Sequence, residues 1–287
     1  LPLFPHAMAF DQLGDDAESA VGEFAEQTAR EARQCGIQIA FAPVADVNTD
    51  PRNPFIATRA FGMQPQRTAK LVTAYVRFAE QAGLFTTAKH FPGHGHTHQD
   101  SHDSLPVVPR TRHELDECDL IPFRAACEAG ASLVMTAHVS FPALDDTGKP
   151  ATISRPIVSR LLSGELGFSG AVCSDSLLMA GVRDRFASEA ELARETLQAG
   201  VDILLDVDDA PTVIDALVRD VESGSLDEAI VDEAFERVWG LKERAWPNQV
   251  EHTDINSSDD TLALDVAQRA IRVSASSEGS FLPGLAS

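Results

Sequence analysis

The chain has little positive charge: 23 Lys and Arg stand against 44 Asp and Glu in 287 residues, a net charge of −21. A surface of that sign repels nucleic acid and anionic lipid, so neither is expected as a partner. No stretch reaches about 18 consecutive apolar residues, so no membrane span is expected. The opening LPLFPHAMAF lacks a basic segment followed by an apolar one, the mark of a signal peptide. Localisation is left open, with a cytoplasmic setting favoured. The four cysteines, Cys35, Cys118, Cys127 and Cys173, show no CxxC spacing and read as buried free thiols. Neither GxGxxG nor GxxxxGK[ST] follows any predicted strand, which argues against nucleotide binding. No cofactor is expected.

What is present is a recurring unit: an amphipathic helix, a glycine stop, a β-rich run, then polar residues. Residues 16–35 put Val21, Phe24, Ala25, Thr28, Ala29 and Ala32 at helical spacing; Gly36 follows, and IQIAFAPV leads to Asp46. Residues 66–82 repeat this with Leu71, Val72, Tyr75, Val76 and Ala79; after Gly83, LFTTA leads to Lys89 and His90. A third helix ends near Gly130, before SLVMTA and His138. A fourth, capped by Ser154 with Arg155 and Pro156 in its first turn, precedes GAVC, Ser174 and Asp175. The fifth runs from a helix at 188–199 through Gly200 into VDILLDV, with Asp202 and Asp206. Further helices are expected at 210–223, at 227–245 (Val231, Phe235, Val238 and Leu241 at helical spacing) and over TLALDVAQRAIRV.

Strands alternating with helices predict a parallel sheet, and unbroken apolar strands predict burial on both faces. The expected fold is α/β, a (β/α)8 TIM-type barrel, ahead of a doubly wound open sheet. Both put their sites at the C-terminal ends of the strands, where the polar residues of these units fall. Five units are clear and no first strand precedes residue 36, so the barrel is expected to lack its first one or two β/α units.

Five of the nine histidines lie in KHFPGHGHTHQDSH, Lys89 to His102. HTHQDS approaches the HxHxDH pattern of binuclear zinc hydrolases, with Ser101 where the last histidine would stand and His138 as a further candidate ligand. A catalytic zinc needs three protein ligands and supporting groups, and no metal site is expected. The competing reading is a catalytic loop. Asp100 and His102 lie two residues apart, on one side of an extended segment. There a carboxylate can fix the tautomer of an imidazole whose ordinary pKa suits proton transfer near neutrality. Asp175 is then a candidate nucleophile, in a variant of the two-carboxylate glycosidase scheme. His94, His96 and His98 read as loop histidines without chemistry.

KHFPGHG at 89–95, DSHDSLP at 100–106, FAPVADVNTDPRNPFIATRAFG at 41–62, MTAHV at 135–139 and SDSLLMAGV at 174–182 together resemble glycoside hydrolase family 3. Within it they look most like the bacterial β-N-acetylglucosaminidase (β-hexosaminidase) branch. The resemblance implies a retaining hydrolase of terminal β-linked N-acetylglucosamine or a related hexose. Its nucleophile falls on Asp175, and its acid/base on His102, with Asp100 as partner. Lys89, His90 and Arg59 fall on the residues that hold the sugar. Asp46, in APVADV, reads as a supporting residue ahead of a direct ligand; His138 either lines the pocket or supports it. A small carbohydrate is the expected partner. A histidine acid does not repel an anionic acceptor, so a phosphorylase using the same residues stays open. So do a non-catalytic carbohydrate-binding remnant and a zinc-dependent barrel hydrolase.

The family carries two more strands before the segment matching PLFPHAMAF, one ending in a DQEGG-like motif. Asp11 and Gln12 follow that segment and do not replace it. Residues 1–250 are expected to form the catalytic barrel, N-terminally incomplete. Residues 251–287 are expected to be a linker and the start of a passage toward a second α/β domain. A missing N-terminal segment and a C-terminal domain are the expected completing partners.

Overall fold

A computed structural model describes residues 3–97, 105–245 and 261–271. At its centre is an all-parallel sheet in sequence order: β1 (Ile39–Ala40), β2 (Phe85–Phe91), β3 (Leu133–Thr136) and β4 (Ala171–Cys173). A parallel bridge from Cys173 to Ile203 adds the fifth position beside β4. The architecture is therefore α/β with a parallel sheet, and the described strands do not by themselves close a barrel.

The helices form where apolar spacing demands. In Ala17–Gln34, Val21, Ala25 and Ala29 are buried, while Phe24, Thr28 and Ala32 are half-buried. Pro65–Gln81 begins with proline, which has no N–H to leave unpaired in a first turn, and buries Leu71, Val72, Tyr75, Val76 and Ala79. Gly36 and Gly83 follow these helices at φ of 79° and 82°, a region costly for residues with a Cβ.

Side chains alternate across the sheet and both faces are covered. Ala88, Val134 and Val172 join the main core with the helices Ala17–Gln34, Pro65–Gln81, Leu120–Glu128 and Pro156–Glu165. Phe85, Leu133, Met135, Ala171 and Cys173 face a second cluster, which Leu241 of helix Glu228–Ala245 joins. Arg244 of that helix lies 4.8 Å over the Phe85 ring and donates to Ser132 Oγ at 3.1 Å. The helices between successive strands thus contribute to one core, unlike those of a doubly wound sheet, which divide between its two faces. Helix Thr261–Ala270 adds Val266 to the main core, and Arg269 pairs with Asp16 at 2.6 Å. No described helix is long and apolar enough to cross a membrane.

The run IQIAFAPV gives a regular ladder of only two residues, because Pro43 has no N–H and the pairing shifts around it. Lys89 N donates to Pro43 O at 3.1 Å and Ala45 N to Lys89 O at 2.7 Å, so the run stays attached to β2. VDILLDV contributes only the bridge at Ile203: the amides of Asp202 and Ile203 both donate to Val172 O, at 2.8 and 3.0 Å. Pro156–Glu165 is a π-helix; Ser154 Oγ accepts from Ile157 N at 3.4 Å and itself donates to Asp145 Oδ2 at 2.6 Å. Cys35 is exposed, contrary to expectation, because it lies just past the end of its helix; Cys118 and Cys127 are half-buried and Cys173 is buried. Phe235 also points outward, 57% exposed and stacked on Trp239, while Ala234 and Leu241 turn inward.

Candidate active site

The polar residues gather beyond the C-terminal ends of the strands, as a parallel sheet dictates. Lys89 and His90 end β2, His138 lies two residues after β3, and Asp175 two residues after β4. Asp46 follows the bridge of Val44 to Lys89.

Asp46 is fully buried and accepts three hydrogen bonds. His90 gives two to its Oδ2, from ring Nδ1 at 2.8 Å and from the backbone N at 3.1 Å. The backbone N of His94 donates to Oδ1 at 2.6 Å. Burial pushes the carboxyl up, but the contacts with His90 and His94 outweigh it and hold it below the ordinary carboxylate range. An acceptor at Nδ1 keeps the proton there, so in the neutral ring Nε2 carries the lone pair.

Burial lowers the Lys89 pKa, and Arg59 lowers it further, while Asp175 and Asp46 pull it back. Lys89, Arg59 and Asp175 therefore share one electrostatic neighbourhood. Arg59 ends the short turn Ala57–Arg59, is exposed, and donates through Nη1 to Phe55 O at 3.0 Å. Asp175 is half-buried, and its Oδ1 accepts from Ser176 N at 2.8 Å.

His138 is buried behind Asp175. Its Nε2 donates to Ser176 O at 2.8 Å, and burial lowers its pKa, leaving the ring neutral. Nδ1 then accepts from Thr152 Oγ1 at 2.7 Å. Both ring nitrogens are engaged by protein groups, so His138 holds the backbone beside Asp175. Asp100 and His102, with Ser101 and His98, lie outside the described residues. Among the described residues, no three His, Cys, Asp or Glu side chains are placed to hold a metal ion.

Two further buried residues lie beside these groups. His94, read as a loop histidine without chemistry, is 4% exposed, and its ring meets that of His90 edge-on at 6.0 Å. Asp119 is fully buried beneath the turn at Gly93, where an added Cβ would come within 2.8 Å of Asp119 Cβ. Arg110 pairs with its Oδ2, and burial pushes the carboxyl up to about 6 against that pull. Neither had a local signal: both depend on residues distant in sequence.

The family model for the glycosyl hydrolase family 3 N-terminal domain matches residues 2–241. The chain is 42% identical over 187 residues to beta-hexosaminidase A of Pseudoalteromonas piscicida, covering 61% of this chain and 31% of the relative. It is 38% identical over 204 residues to a beta-hexosaminidase of Neisseria meningitidis serogroup C, covering 71% of this chain and 55% of the relative. Among solved structures, a family 3 beta-N-acetylglucosaminidase from Paenibacillus sp. superposes with a TM-score of 0.87 at 36% identity, over 99% of this chain and 55% of that one. The chain thus matches between about a third and about half the length of these proteins.

Proposed function

Because the chain belongs to glycosyl hydrolase family 3, we propose that it removes terminal β-linked N-acetylglucosamine, or a related hexose, by a retaining double displacement. The parallel sheet is, on this reading, part of a (β/α)8 barrel. The observation that carries the function is the carboxylate of Asp175, just beyond β4 and within electrostatic reach of Lys89. The names of the Pseudoalteromonas and Neisseria relatives support the substrate class.

In the first step an Asp175 carboxylate oxygen attacks the anomeric carbon and the bond to the leaving oxygen breaks. His102, oriented by Asp100, gives its proton to that oxygen. In the second step His102 takes a proton from water, the water oxygen bonds to the anomeric carbon, and Asp175 is released. Lys89 and Arg59 donate hydrogen bonds to sugar hydroxyls, and His90 offers Nε2, its tautomer set by Asp46. Asp46 and His138 act from behind, on His90 and on the backbone at Ser176.

Turnover of an aryl β-N-acetylglucosaminide is the direct test. The protein is expected to release the phenol, and Asp175→Asn to lower kcat by about 1,000-fold or more. A full rate in Asp175→Asn would remove that residue from the mechanism. His102→Ala should slow substrates with poor leaving groups far more than activated phenols, since only the former need protonation.

A further inference from the structure

We propose that His94 is a positioning residue that fixes the ring of His90, and through it the sugar-holding pair Lys89 and His90; this rests on the functional reading above.

His94 is tied from several sides. Its backbone N donates to the same Asp46 carboxylate that holds His90. Its carbonyl accepts from Asn53 Nδ2 at 2.8 Å and from Thr97 Oγ1 at 3.1 Å. Its Nδ1 pairs with Thr97 Oγ1 at 2.7 Å, and Asn53 Nδ2 reaches that same hydroxyl at 3.4 Å. With the proton on Nδ1 the set is self-consistent: Nδ1 donates to Thr97, and the Thr97 hydroxyl donates to the carbonyl. Burial lowers the His94 pKa. Its ring meets that of His90 edge-on, with centroids 6.0 Å apart and planes at 77°, and the Phe55 ring centroid lies 6.3 Å away.

This arrangement joins two segments of the site. Asn53 and Asp46 belong to the segment after β1 that continues to Arg59, and His94 and Thr97 to the segment that follows β2, the strand carrying Lys89 and His90. Asp50 N donates to Gly95 O at 3.3 Å, and Thr49 Oγ1 pairs with His96 Nδ1 at 3.0 Å, so the two segments are stitched at neighbouring points. The His90 ring has Asp46 at its Nδ1 and the His94 ring against it. Removing the His94 ring takes away the ring packed against His90, which can then tilt about its bond to Asp46 and move Nε2 from the sugar hydroxyl it accepts from. Misplacement of a binding group weakens sugar binding first, because proton transfer and attack are made by other residues.

The test compares His94→Asn and Thr97→Val with the wild-type chain. His94→Asn keeps a polar atom near the Nδ1 position but removes the ring; Thr97→Val keeps the ring and removes the hydroxyl that orients it. Steady-state hydrolysis of an aryl β-N-acetylglucosaminide and calorimetric titration with free N-acetylglucosamine are read together. His94→Asn is expected to raise KM and the sugar Kd about 10-fold with kcat within about threefold, and Thr97→Val to do the same more weakly. Wild-type KM and Kd in both variants would overturn the proposal. So would an equal fall in kcat and in kcat/KM, since the role assigned is in binding. If His94→Asn does not fold, Thr97→Val decides alone. Wild-type protein that neither binds nor turns over the sugar would overturn the functional reading itself; wild-type activity with unaltered variants would overturn only the role of His94.

Discussion

Asp46 grips His90 at two points, the ring Nδ1 at 2.8 Å and the backbone N at 3.1 Å, with one buried carboxylate oxygen. The clamp sets the tautomer and the orientation of the residue together. Both His90 and Asp46 are largely withdrawn from water, where a hydrogen bond to an ionised acceptor is stronger than a neutral one.

Asp46→Asn is expected to keep the shape of that contact while losing the charge. An asparagine oxygen still accepts from Nδ1, but the amide nitrogen then faces the backbone N of His94, donor against donor. A hydrogen bond to a charged group contributes about 1.5–3 kcal/mol. The substitution should therefore lower kcat/KM by about 10- to 100-fold, measured with an aryl β-N-acetylglucosaminide. Wild-type kcat/KM would show that the clamp does not matter.

Gly95 sits against the backbone of the preceding loop. A Cβ there would lie 1.8 Å from Val47 O, far inside contact distance, and backbone cannot rotate away as a side chain can. Gly95→Ala should separate the two loops, lowering both Tm and sugar binding. Gly36→Ala is the control: its φ of 79° is unfavourable for alanine, but nothing lies within 4 Å of the added Cβ. It should lower Tm with sugar affinity intact, whereas equal losses of affinity would contradict the special role of Gly95.

Asp119 gives a pH dependence of definite sign. Its carboxyl is raised from 3.8 to about 6, so between those values the folded chain binds more protons than the unfolded one. Stability from this group is fully present below about pH 4 and falls as pH rises through about 6. Asp119→Asn cannot ionise and loses this dependence. Its Tm relative to wild type should rise from about pH 3.5, below the lower value, to about pH 7.5, above the upper one. A constant difference would mean that the pair with Arg110 holds Asp119 ionised throughout.

Much of this was legible in the sequence, and the limits have physical causes. Leu71, Val72, Tyr75, Val76 and Ala79 could be assigned to a buried face because helical periodicity is local. Lys89, His90 and Asp175 could be placed at strand ends for the same reason. The bond from His94 N to Asp46 joins residues 48 apart, and no local pattern predicts it. Helical spacing at Val231, Phe235, Val238 and Leu241 marks the helix but not its buried face, which runs through Ala234 and Leu241. The shortened β1 follows from Pro43, whose missing donor was visible but whose shift in pairing was not.

The central claim is that Asp175 forms the covalent bond to the sugar. Incubation with an activated 2-fluoro glycoside, followed by proteolysis and mass spectrometry, tests it most directly, because the fluorine slows release of the glycosyl-enzyme. A single labelled peptide carrying the sugar on Asp175 is expected. A label on another carboxylate, or turnover of the substrate with no covalent adduct, would contradict it.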